Sequence, residues 1–474
     1  YDASARELTE TDARARREFR VTADGGAEDD AGKIFADVVR VIDEAHARAA
    51  ALSLKVESVA VSCFMHSLVG VDLSGAAVTP VFGWADTRAA SEVPALRERF
   101  DERATHARTG CRFHASYWTA KLAWLRRTRL GAFSGAARWL SFGEYLTAKL
   151  CGAQAQAASL SMASGTGLLH VRRCEWDAEI IEGLGLHLDR LPRLAADEET
   201  FALAGEYAAR WPLLAGRPVF PVFGDGPANN VGAACATRRE VALMIGTSGA
   251  MRALYEGGPP DDLPASLWCY RLDRRRVAIG GALSDGGGLY EWMRETLSLE
   301  CDDEQLEREL AAMRADAHGL TVLPFWAGER STRWNAEARG AIIGLRTSTR
   351  PAEIVRAALE AVALRFAALA DDLEPFAPGA QLYASGGALR HSRAWTQIIC
   401  DATGRTLRLS RAREASSRGV ALMALEHSGA IKSLTDAPAP VYETFTPDRE
   451  ANARYRDALA RQESFYESVI ERHR

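Results

Sequence analysis

The chain has 474 residues, of which 47% are hydrophobic and 26% charged, the composition of an ordinary folded protein whose length predicts two large domains. Its 58 basic and 63 acidic residues are spread along the chain and give a net charge of −5, which excludes a basic stripe for nucleic acid or a lipid surface and favours a small diffusing substrate. The eight cysteines form no CxxC pair or Cys/His cluster, and no apolar run is long enough for a membrane span. We therefore expect a cytoplasmic protein with reduced thiols, no metal-ligating cluster and no nucleic-acid or membrane partner.

Helices and strands alternate in the first half of the chain, and polar side chains follow the strand ends. Hydrophobic spacing predicts a helix over 34–52, strands over 56–63, 68–71 and 78–84, and helices within 92–126 and over 142–150. The small residues of 159–167 are typical of a turn, and the apolar run 219–223 is typical of a strand. We expect the first domain to end near Thr237 and to cover 1–237.

The second half repeats this alternation. The predicted strands are 241–245, 277–282, 320–325 and 381–385. A long amphipathic helix is predicted over 351–373, and it begins with Pro351, a residue favoured in the first helical turn. Strands that alternate with helices indicate α/β layers. We expect a second domain over 238–436 and a helical tail over 437–474.

A lone carboxylate and a glycine-rich turn lie about twenty residues apart near the predicted domain boundary. Asp225 stands between Gly224 and Gly226 after the apolar run, so we expect its side chain to emerge where a strand breaks into a loop. The turn Gly246-Thr247-Ser248-Gly249 follows a predicted strand, and its small residues would let backbone N–H groups approach an anion. Alone, either feature more often marks a turn or a hairpin. Together they favour phosphoryl transfer, in which a carboxylate accepts the hydroxyl proton.

The most specific motif of the chain is the glycine-rich and helical run from Gly340 to Glu360. Further motifs follow in a fixed order: 328–330, 338–340, 385–388 with Trp395 and Gln397, and 414–419. In these motifs the chain resembles the FGGY carbohydrate kinases over almost its whole length. The resemblance implies an α/β, two-domain actin-like (ribonuclease-H-like) ATPase fold. It also implies ATP and Mg²⁺ as cofactors and a small-molecule sugar acid or polyol as the substrate.

The resemblance further implies roles for individual residues. Asp225 is expected to be the general base that takes the proton from the acceptor hydroxyl. The expected sugar contacts are His66, Trp84, Asp86 and Arg88, and the expected nucleotide contacts are Gly246, Thr247, Gly249, Gly287, Glu291, Gly386, Gly387 and Ser392. The runs MHSL, WADTR and SMASGTGL are most similar to those of gluconate kinases. Arg88 and Lys121 would suit a sugar acid, because a guanidinium pairs with a carboxylate in a two-pronged way.

Structural interpretations of some of these residues stay open. His66 also fits a core histidine. Asp86 and Arg88 also fit a surface ion pair that contributes under about 1 kcal/mol. The remaining interpretations are structural: Glu329-Arg330 as a brace at the domain interface, Asp285 as a helix-start residue and Asp401 as a helix-face residue.

Two departures from the family pattern affect the functional prediction. Family members begin with a β-hairpin whose Asp-x-Gly-Thr-Ser turn forms the first phosphate loop, and we expect a segment that carries this hairpin to precede Tyr1. Ser159 stands where close relatives often have Asp. Xylulose, ribulose or glycerol kinase activity, a non-catalytic ligand-sensing protein and an actin-like structural ATPase therefore remain alternatives. A homodimer is expected by analogy alone.

Overall fold

The structure, a computed structural model, describes residues 1–299 and 301–471. The strands of the first half are β1 Arg20–Val21, β2 Ala27–Asp29, β3 Ser62–Cys63, β4 Val69–Val71, β5 Val81–Phe82, β6 Arg138–Leu140, β7 Ala157–Ala158, β8 Leu169–His170, β9 Glu175–Trp176, β10 Arg193–Leu194 and β11 Phe223–Gly224. The helices are α1 Ala31–Ala51, α2 Val93–Arg99, α3 Glu102–Thr109, α4 Trp118–Thr128, α5 Leu130–Gly135, α6 Phe142–Cys151, α7 Leu160–Ser164, α8 Ala178–Gly183, α9 Gly205–Arg210 and α10 Asp225–Gly232.

The second half contains longer elements. Its strands are β12 Glu240–Ile245, β13 Gly249–Glu256, β14 Trp268–Arg271, β15 Arg276–Leu283, β16 Thr321–Leu323, β17 Ala341–Ile343, β18 Gln381–Ser385, β19 Leu407–Ser410 and β20 Val441–Phe445. Its helices are α11 Gly287–Thr296, α12 Asp303–Ala312, α13 Pro351–Leu373, α14 Gly387–His391, α15 Arg393–Thr403, α16 Ala415–His427 and α17 Arg449–Tyr466. Across the described ranges, no helix is both long enough and apolar enough to cross a membrane.

A seven-stranded sheet organises the second half in the order β14-β15-β13-β12-β18-β19-β20. The strands β12, β18 and β19 run parallel, whereas β13, β15 and β14 form an antiparallel meander beside β12. The parallel neighbours β12 and β18 need a crossover segment, and α13 lies in the part of it that follows β15. The predicted bounds of α13 are confirmed. Pro351 occupies its first turn, and the Arg350 N–H donates to Glu353 Oε2 over 2.8 Å, which caps the helix start.

The first half contains small sheets of two or three strands. The pair that positions the site is β3 and β11, which run parallel with Gly224 beside Cys63. Because parallel strands end at the same edge, the residues after β3, Met65 and His66, emerge beside Asp225, which follows β11. The predicted strand over 56–63 is mostly wrong, because only its last two residues form a ladder.

The turn predicted over 159–167 is wrong in its first part, where the chain forms α7. The hydroxyl of Ser159 accepts the Met162 N–H at 3.2 Å, and this side-chain cap starts the short helix. The same hydroxyl donates to the Val222 carbonyl at 2.6 Å. Ser159 therefore connects α7 to the segment that leads into Asp225.

The helical tail predicted over 437–474 is also wrong in its first part. It begins with β20, which pairs antiparallel with β19 and completes the edge of the large sheet. The edge of β19 offers unpaired backbone groups that β20 satisfies. The rest of the tail is α17 and a π-helical turn at Glu467–Glu471, and residues 472–474 lie outside the described part of the chain.

The two halves meet through close backbone contacts. The Cys269 N–H of the edge strand β14 donates to the Gly110 carbonyl of the first half over 3.0 Å. The second contact is a crossing of α10 with α16. A Cβ added to Gly232 would lie 1.7 Å from the Ala415 carbonyl oxygen, and one added to Gly419 would lie 1.9 Å from that of Ala228. The helix that begins with Asp225 is thus pressed directly against the second half.

Candidate active site

Asp225 is the first residue of α10, so the expectation of a loop after the strand is wrong: the strand passes directly into a helix. Its Oδ1 accepts the Met65 N–H at 3.3 Å. The positive end of the helix dipole also favours a carboxylate in the first turn. Because α10 packs against β12 and β13, Asp225 lies next to the hairpin that carries the glycine-rich turn.

The environment of Asp225 suits a proton acceptor. Burial raises the pKa of its carboxyl group, and the Met65 N–H and the Arg252 guanidinium lower it in part. The side chain keeps some exposure to solvent. A carboxylate whose pKa is raised toward the working pH takes up a proton more readily than an ordinary surface Asp.

His66 is held in a constrained position beside Asp225. Its backbone has φ +66°, and its carbonyl accepts the Lys121 ammonium at 2.8 Å. The ring Nδ1 lies 2.6 Å from the Gly165 carbonyl, and since a carbonyl can only accept, Nδ1 carries the proton. Burial lowers the pKa of His66 to about 3. The neutral ring therefore offers Nε2 as an acceptor for a substrate hydroxyl.

Arg88 and Asp86 form a buried clamp. The Arg88 Nη2 lies 2.5 Å from Asp86 Oδ2 and 2.6 Å from Glu28 Oε2, and all three side chains are at most 7% exposed. The alternative of a surface ion pair is wrong. The expectation that this guanidinium pairs with a sugar carboxylate also needs correction, because two protein carboxylates already neutralise it. Sequence reasoning missed Glu28, which lies 60 positions before Arg88.

Trp84 bridges the two halves of the molecule. Its ring is 40% exposed, and the Arg330 guanidinium of the second half lies over it, 4.7 Å from the ring centroid. Arg330 therefore does stand at the contact between the halves, as its interpretation as a brace predicts. Glu329 points elsewhere: its Oε2 accepts the Tyr466 hydroxyl at 2.7 Å.

Aromatic side chains from both halves line the cleft between the halves, next to Trp84 and Arg330. Sequence reasoning missed most of these aromatic residues. The hydroxyls of Tyr117 and Tyr270 lie 2.7 Å apart, and both rings pack on the His66 ring, with centroids 5.2 and 5.9 Å away. Trp334 packs on His114 at 5.6 Å. The signal in the sequence was weak, because aromatic residues at these positions are also typical of a core.

Three glycine-rich turns converge on the other side of the cleft. The Gly287 N–H donates to the Gly246 carbonyl at 2.7 Å, and the Gly288 N–H donates to the Thr247 carbonyl at 3.0 Å. Gly386 has φ +107°, and a Cβ on it would lie 2.0 Å from the Ile245 carbonyl oxygen. Only glycine fits such close approaches. The turns at 246–248, 286–288 and 386–387 therefore form a surface that backbone groups line, which fits the phosphates of a nucleotide.

Four of the predicted nucleotide contacts, Gly249, Thr247, Glu291 and Ser392, differ from one another in their exposure and their partners. A Cβ on Gly249 would point toward the core and lie 2.5 Å from the Phe366 ring, so only the backbone of Gly249 is left for the predicted phosphate contact. Thr247 and Glu291 are exposed. Ser392 caps α15, and its hydroxyl donates to Glu307 Oε2 at 2.8 Å. Glu307 was missed because it lies on α12, in a different segment of the chain.

Two further carboxylates have structural partners. Asp285 does not cap α11, so its interpretation as a helix-start residue is wrong; its Oδ2 accepts the Ala327 N–H at 3.1 Å, and burial raises its pKa to about 6. Asp401 lies on a face of α15, as predicted, and its Oδ1 accepts the Asp448 N–H at 2.8 Å.

One group in the described ranges has metal-ligand character: the side-chain oxygens or nitrogens of Asp316, His318 and Glu360 lie within 4.8 Å of one another. Its two carboxylates already accept hydrogen bonds from arginines, and His318 Nε2 lies 2.9 Å from Glu360 Oε2. Arg356 Nε donates to Glu360 Oε1 at 2.6 Å, and Arg461 Nη2 donates to Asp316 Oδ1 at 2.5 Å. We interpret the group as an ion-pair network that fastens α17 to α13.

Gly386 gives a testable prediction about the glycine-rich surface. Gly386→Ala is expected to lower the stability by about 1–3 kcal/mol, because alanine is strained at this φ and its Cβ collides with the Ile245 carbonyl. Gly387→Ala adds a Cβ that meets nothing within 4 Å, so it is expected to raise the KM for ATP without loss of stability. Thermal unfolding and ATP titration check both variants. Gly205→Ala is the control, because a Cβ on Gly205 also meets nothing within 4 Å. An unchanged KM for ATP in Gly387→Ala would identify Gly387 as a plain turn residue.

The comparisons with known proteins define the class as carbohydrate phosphotransferases with the two-domain actin-like ATPase fold. The N-terminal domain of the FGGY family of carbohydrate kinases matches residues 7–232, and the C-terminal domain of that family matches residues 241–426. The chain belongs to the FGGY family of carbohydrate kinases. Members of this family use ATP with Mg²⁺, and the family and fold predictions are confirmed.

Individual relatives are named for different substrates. The chain is 27% identical over 422 residues to a gluconokinase of Bacillus subtilis (strain 168), which covers 85% of this chain and 81% of that protein. It is 31% identical over 361 residues to a glycerol kinase of Aromatoleum aromaticum, which covers 74% and 71%. Among solved structures, a gluconate kinase from Lactobacillus acidophilus superposes with TM-score 0.87 at 25% identity over 96% of this chain and 92% of that one. A xylulose kinase from Rhodospirillum rubrum gives 0.86 at 25% identity over 97% and 94%.

Proposed function

We propose that this chain transfers the γ-phosphate of ATP to a primary hydroxyl of an open-chain sugar acid, most simply gluconate. The observation that carries the proposal is the position of Asp225, a carboxylate with a raised pKa at the start of α10, next to the glycine-rich turns and the neutral His66. The similarity to gluconokinases over most of the chain supports the choice of substrate.

Different residues of the chain would carry out different parts of this phosphoryl transfer. Bound ATP with Mg²⁺ supplies the phosphoryl group and the cation that neutralises its charge. The backbone of the turns at 246–248, 286–288 and 386–387 would hold the nucleotide phosphates. Asp225 accepts the proton of the attacking hydroxyl, and His66 Nε2 accepts a hydrogen bond from a neighbouring substrate hydroxyl, which fixes the orientation of the sugar.

Closure of the cleft excludes water from this reaction. Trp84 and Arg330 contact each other across the two halves, as do His114 and Trp334. These contacts cover the sugar side of the cleft, where a bound hydroxyl must compete with water for the phosphoryl group. We infer that substrate binding and closure are coupled through them.

A panel of substrates tests the proposal. ADP release with Mg-ATP is expected to be fastest with D-gluconate, and at least about tenfold slower in kcat/KM with xylulose, ribulose and glycerol, because a missing charged contact costs on this order. Equal or faster turnover of xylulose would favour the alternative that the likeness to xylulose kinases supports. ATP binding without turnover of any sugar would favour a ligand-sensing role.

A further inference from the structure

Within the described residues, the basic side chains considered on the sugar side of the cleft are Arg88, Lys121, Arg252 and Arg330, and they differ in their hydrogen-bond partners. Arg88 is neutralised by two carboxylates. The ammonium of Lys121 donates to two backbone carbonyls, each at 2.8 Å. Arg252 donates to two asparagine side-chain oxygens, at 2.8 and 3.0 Å. Two carboxylates therefore occupy Arg88, and the hydrogen bonds of Lys121 and Arg252 hold these two side chains in place.

Arg330 differs from the other three basic side chains because one of its buried N–H groups has no partner in the described part of the chain. Its Nη2 donates to the Leu283 carbonyl at 2.7 Å, and its guanidinium lies over the Trp84 ring. Its Nε–H is buried and has no hydrogen-bond partner in the described part of the chain. None of the hydrogen bonds of its guanidinium within residues 1–299 and 301–471 is with a carboxylate. A buried, unpaired N–H of a charged group is costly unless a ligand satisfies it.

Most of the side chains packed around Arg330 are uncharged. The rings of His66 and His114 are neutral, because burial lowers the pKa of each to about 3 and the nearby charge of Arg330 adds to the effect. Tyr117 and Tyr270 are bonded to each other through their hydroxyls. The carboxyl group whose charge acts on Arg330 is Asp285, which accepts the Ala327 N–H and makes no hydrogen bond with Arg330 in the described part of the chain. Arg330 therefore keeps a buried N–H donor for an anion at this end of the cleft, whereas Asp225 places a carboxylate at the reacting end.

We propose that Arg330 binds the carboxylate of the substrate and sets the preference for a sugar acid over a neutral sugar, an inference that rests on the proposed function. The Nε–H and one Nη–H of a guanidinium form the two-pronged donor that a carboxylate fits. An open-chain sugar acid carries its carboxylate and its terminal primary hydroxyl at opposite ends. When the carboxylate of such a substrate binds Arg330, its terminal hydroxyl remains free to approach Asp225.

This assignment makes the second half of the chain responsible for part of the sugar specificity. Arg330 belongs to the loop between β16 and β17, whereas Trp84, which supports it, belongs to the first half. A carboxylate that binds Arg330 therefore draws the two halves together, and a neutral sugar gives no such contact.

The test compares D-gluconate with D-glucitol, which has the same carbon chain and a hydroxymethyl group in place of the carboxylate. In Arg330→Met, kcat/KM for gluconate is expected to fall by about tenfold to 100-fold more than kcat/KM for glucitol, because the lost hydrogen bonds are to a charged group, whereas loss of the Trp84 contact affects both substrates alike. Arg330→Lys keeps the positive charge but lacks the two-pronged N–H donor of a guanidinium. It is therefore expected to lose part of the preference for gluconate over glucitol. Arg339→Met removes an exposed arginine of the same loop and is expected to leave both substrates unchanged.

The outcomes separate the inference from the proposed function. If the unaltered protein turns over no sugar acid, the proposed function fails. If it turns over gluconate and both Arg330 variants keep the full preference over glucitol, the function stands and the role of Arg330 is overturned. Thermal unfolding is measured for every variant, and if Arg330→Met does not fold, the preference of Arg330→Lys decides between these results.

Discussion

Asp225→Asn is expected to lower kcat by about 100-fold or more, because a positioned general base contributes on that order. The amide has the shape of the carboxylate, and its oxygen can still accept the Met65 N–H. The start of α10 is therefore expected to keep its geometry, and ATP binding and thermal stability are expected to stay close to those of the unaltered protein. A coupled ADP-release assay, ATP titration and thermal unfolding measure the three properties on one sample.

Asp401→Asn is the matched control for this variant. Asp401 is also an aspartate near a glycine, but it is buried, and its Oδ1 accepts the Asp448 N–H and the Gln397 amide on α15. An asparagine oxygen can accept the same hydrogen bonds, so kcat is expected to be unchanged. Near-normal turnover in Asp225→Asn, or an equal loss in both variants, would show that Asp225 is not the base.

The pH dependence of kcat/KM gives a second measurement of the same assignment. The base must be ionised to accept a proton, and burial raises the pKa of Asp225. Activity is therefore expected to rise with pH along an acid limb that lies above the ordinary carboxylate value of about 4. In Asp225→Asn that limb is expected to disappear.

The elements that the sequence predicted well are those whose causes are local. The bounds of α13 follow from Pro351 at its start and from an apolar face that repeats at helical spacing through Leu373. The strand β18 is a short apolar run closed by two glycines. Each of these signals lies within one segment, so no distant partner is needed to interpret it.

The predictions that failed depend on partners far away in the chain. The pairing of β3 with β11 brings Met65 next to Asp225 across 160 positions, and no local pattern in either strand indicates the other. Arg88 has the sequence context of a substrate ligand, and only the fold reveals that Glu28 neutralises it. The same holds for Ser392 and Glu307. Side-chain pairing across segments decides which polar residues remain free for a ligand.

The crossing of α10 and α16 joins the helix that begins with Asp225, the proposed base, to the second half of the chain. The two helices approach closely at Gly232 and Gly419. One turn away, the Ser416 hydroxyl donates to the Asp225 carbonyl at 3.2 Å. A change in the distance between these helices therefore moves Asp225 relative to the glycine-rich turns, which belong to the second half.

Gly419→Ala is expected to lower the stability by about 1–3 kcal/mol or more, since overpacking costs this much even where side chains can adjust. Here the added Cβ would lie 1.9 Å from the Ala228 carbonyl oxygen, which is backbone and cannot rotate away. The helices must separate, and kcat is expected to fall by about 10- to 100-fold, because small displacements of a catalytic group have effects of this size. Thermal unfolding and ADP release measure the two effects.

Gly131→Ala is the control, because it makes the same change in the exposed helix α5, where a Cβ meets nothing within 4 Å. It is expected to stabilise the protein slightly, since alanine is favoured over glycine in helices by about 1 kcal/mol. If Gly419→Ala lowered stability and left kcat unchanged, the crossing would be a packing contact without influence on Asp225. A loss of both, with Gly131→Ala unaffected in kcat, would support dependence of the Asp225 geometry on the close approach of α10 and α16.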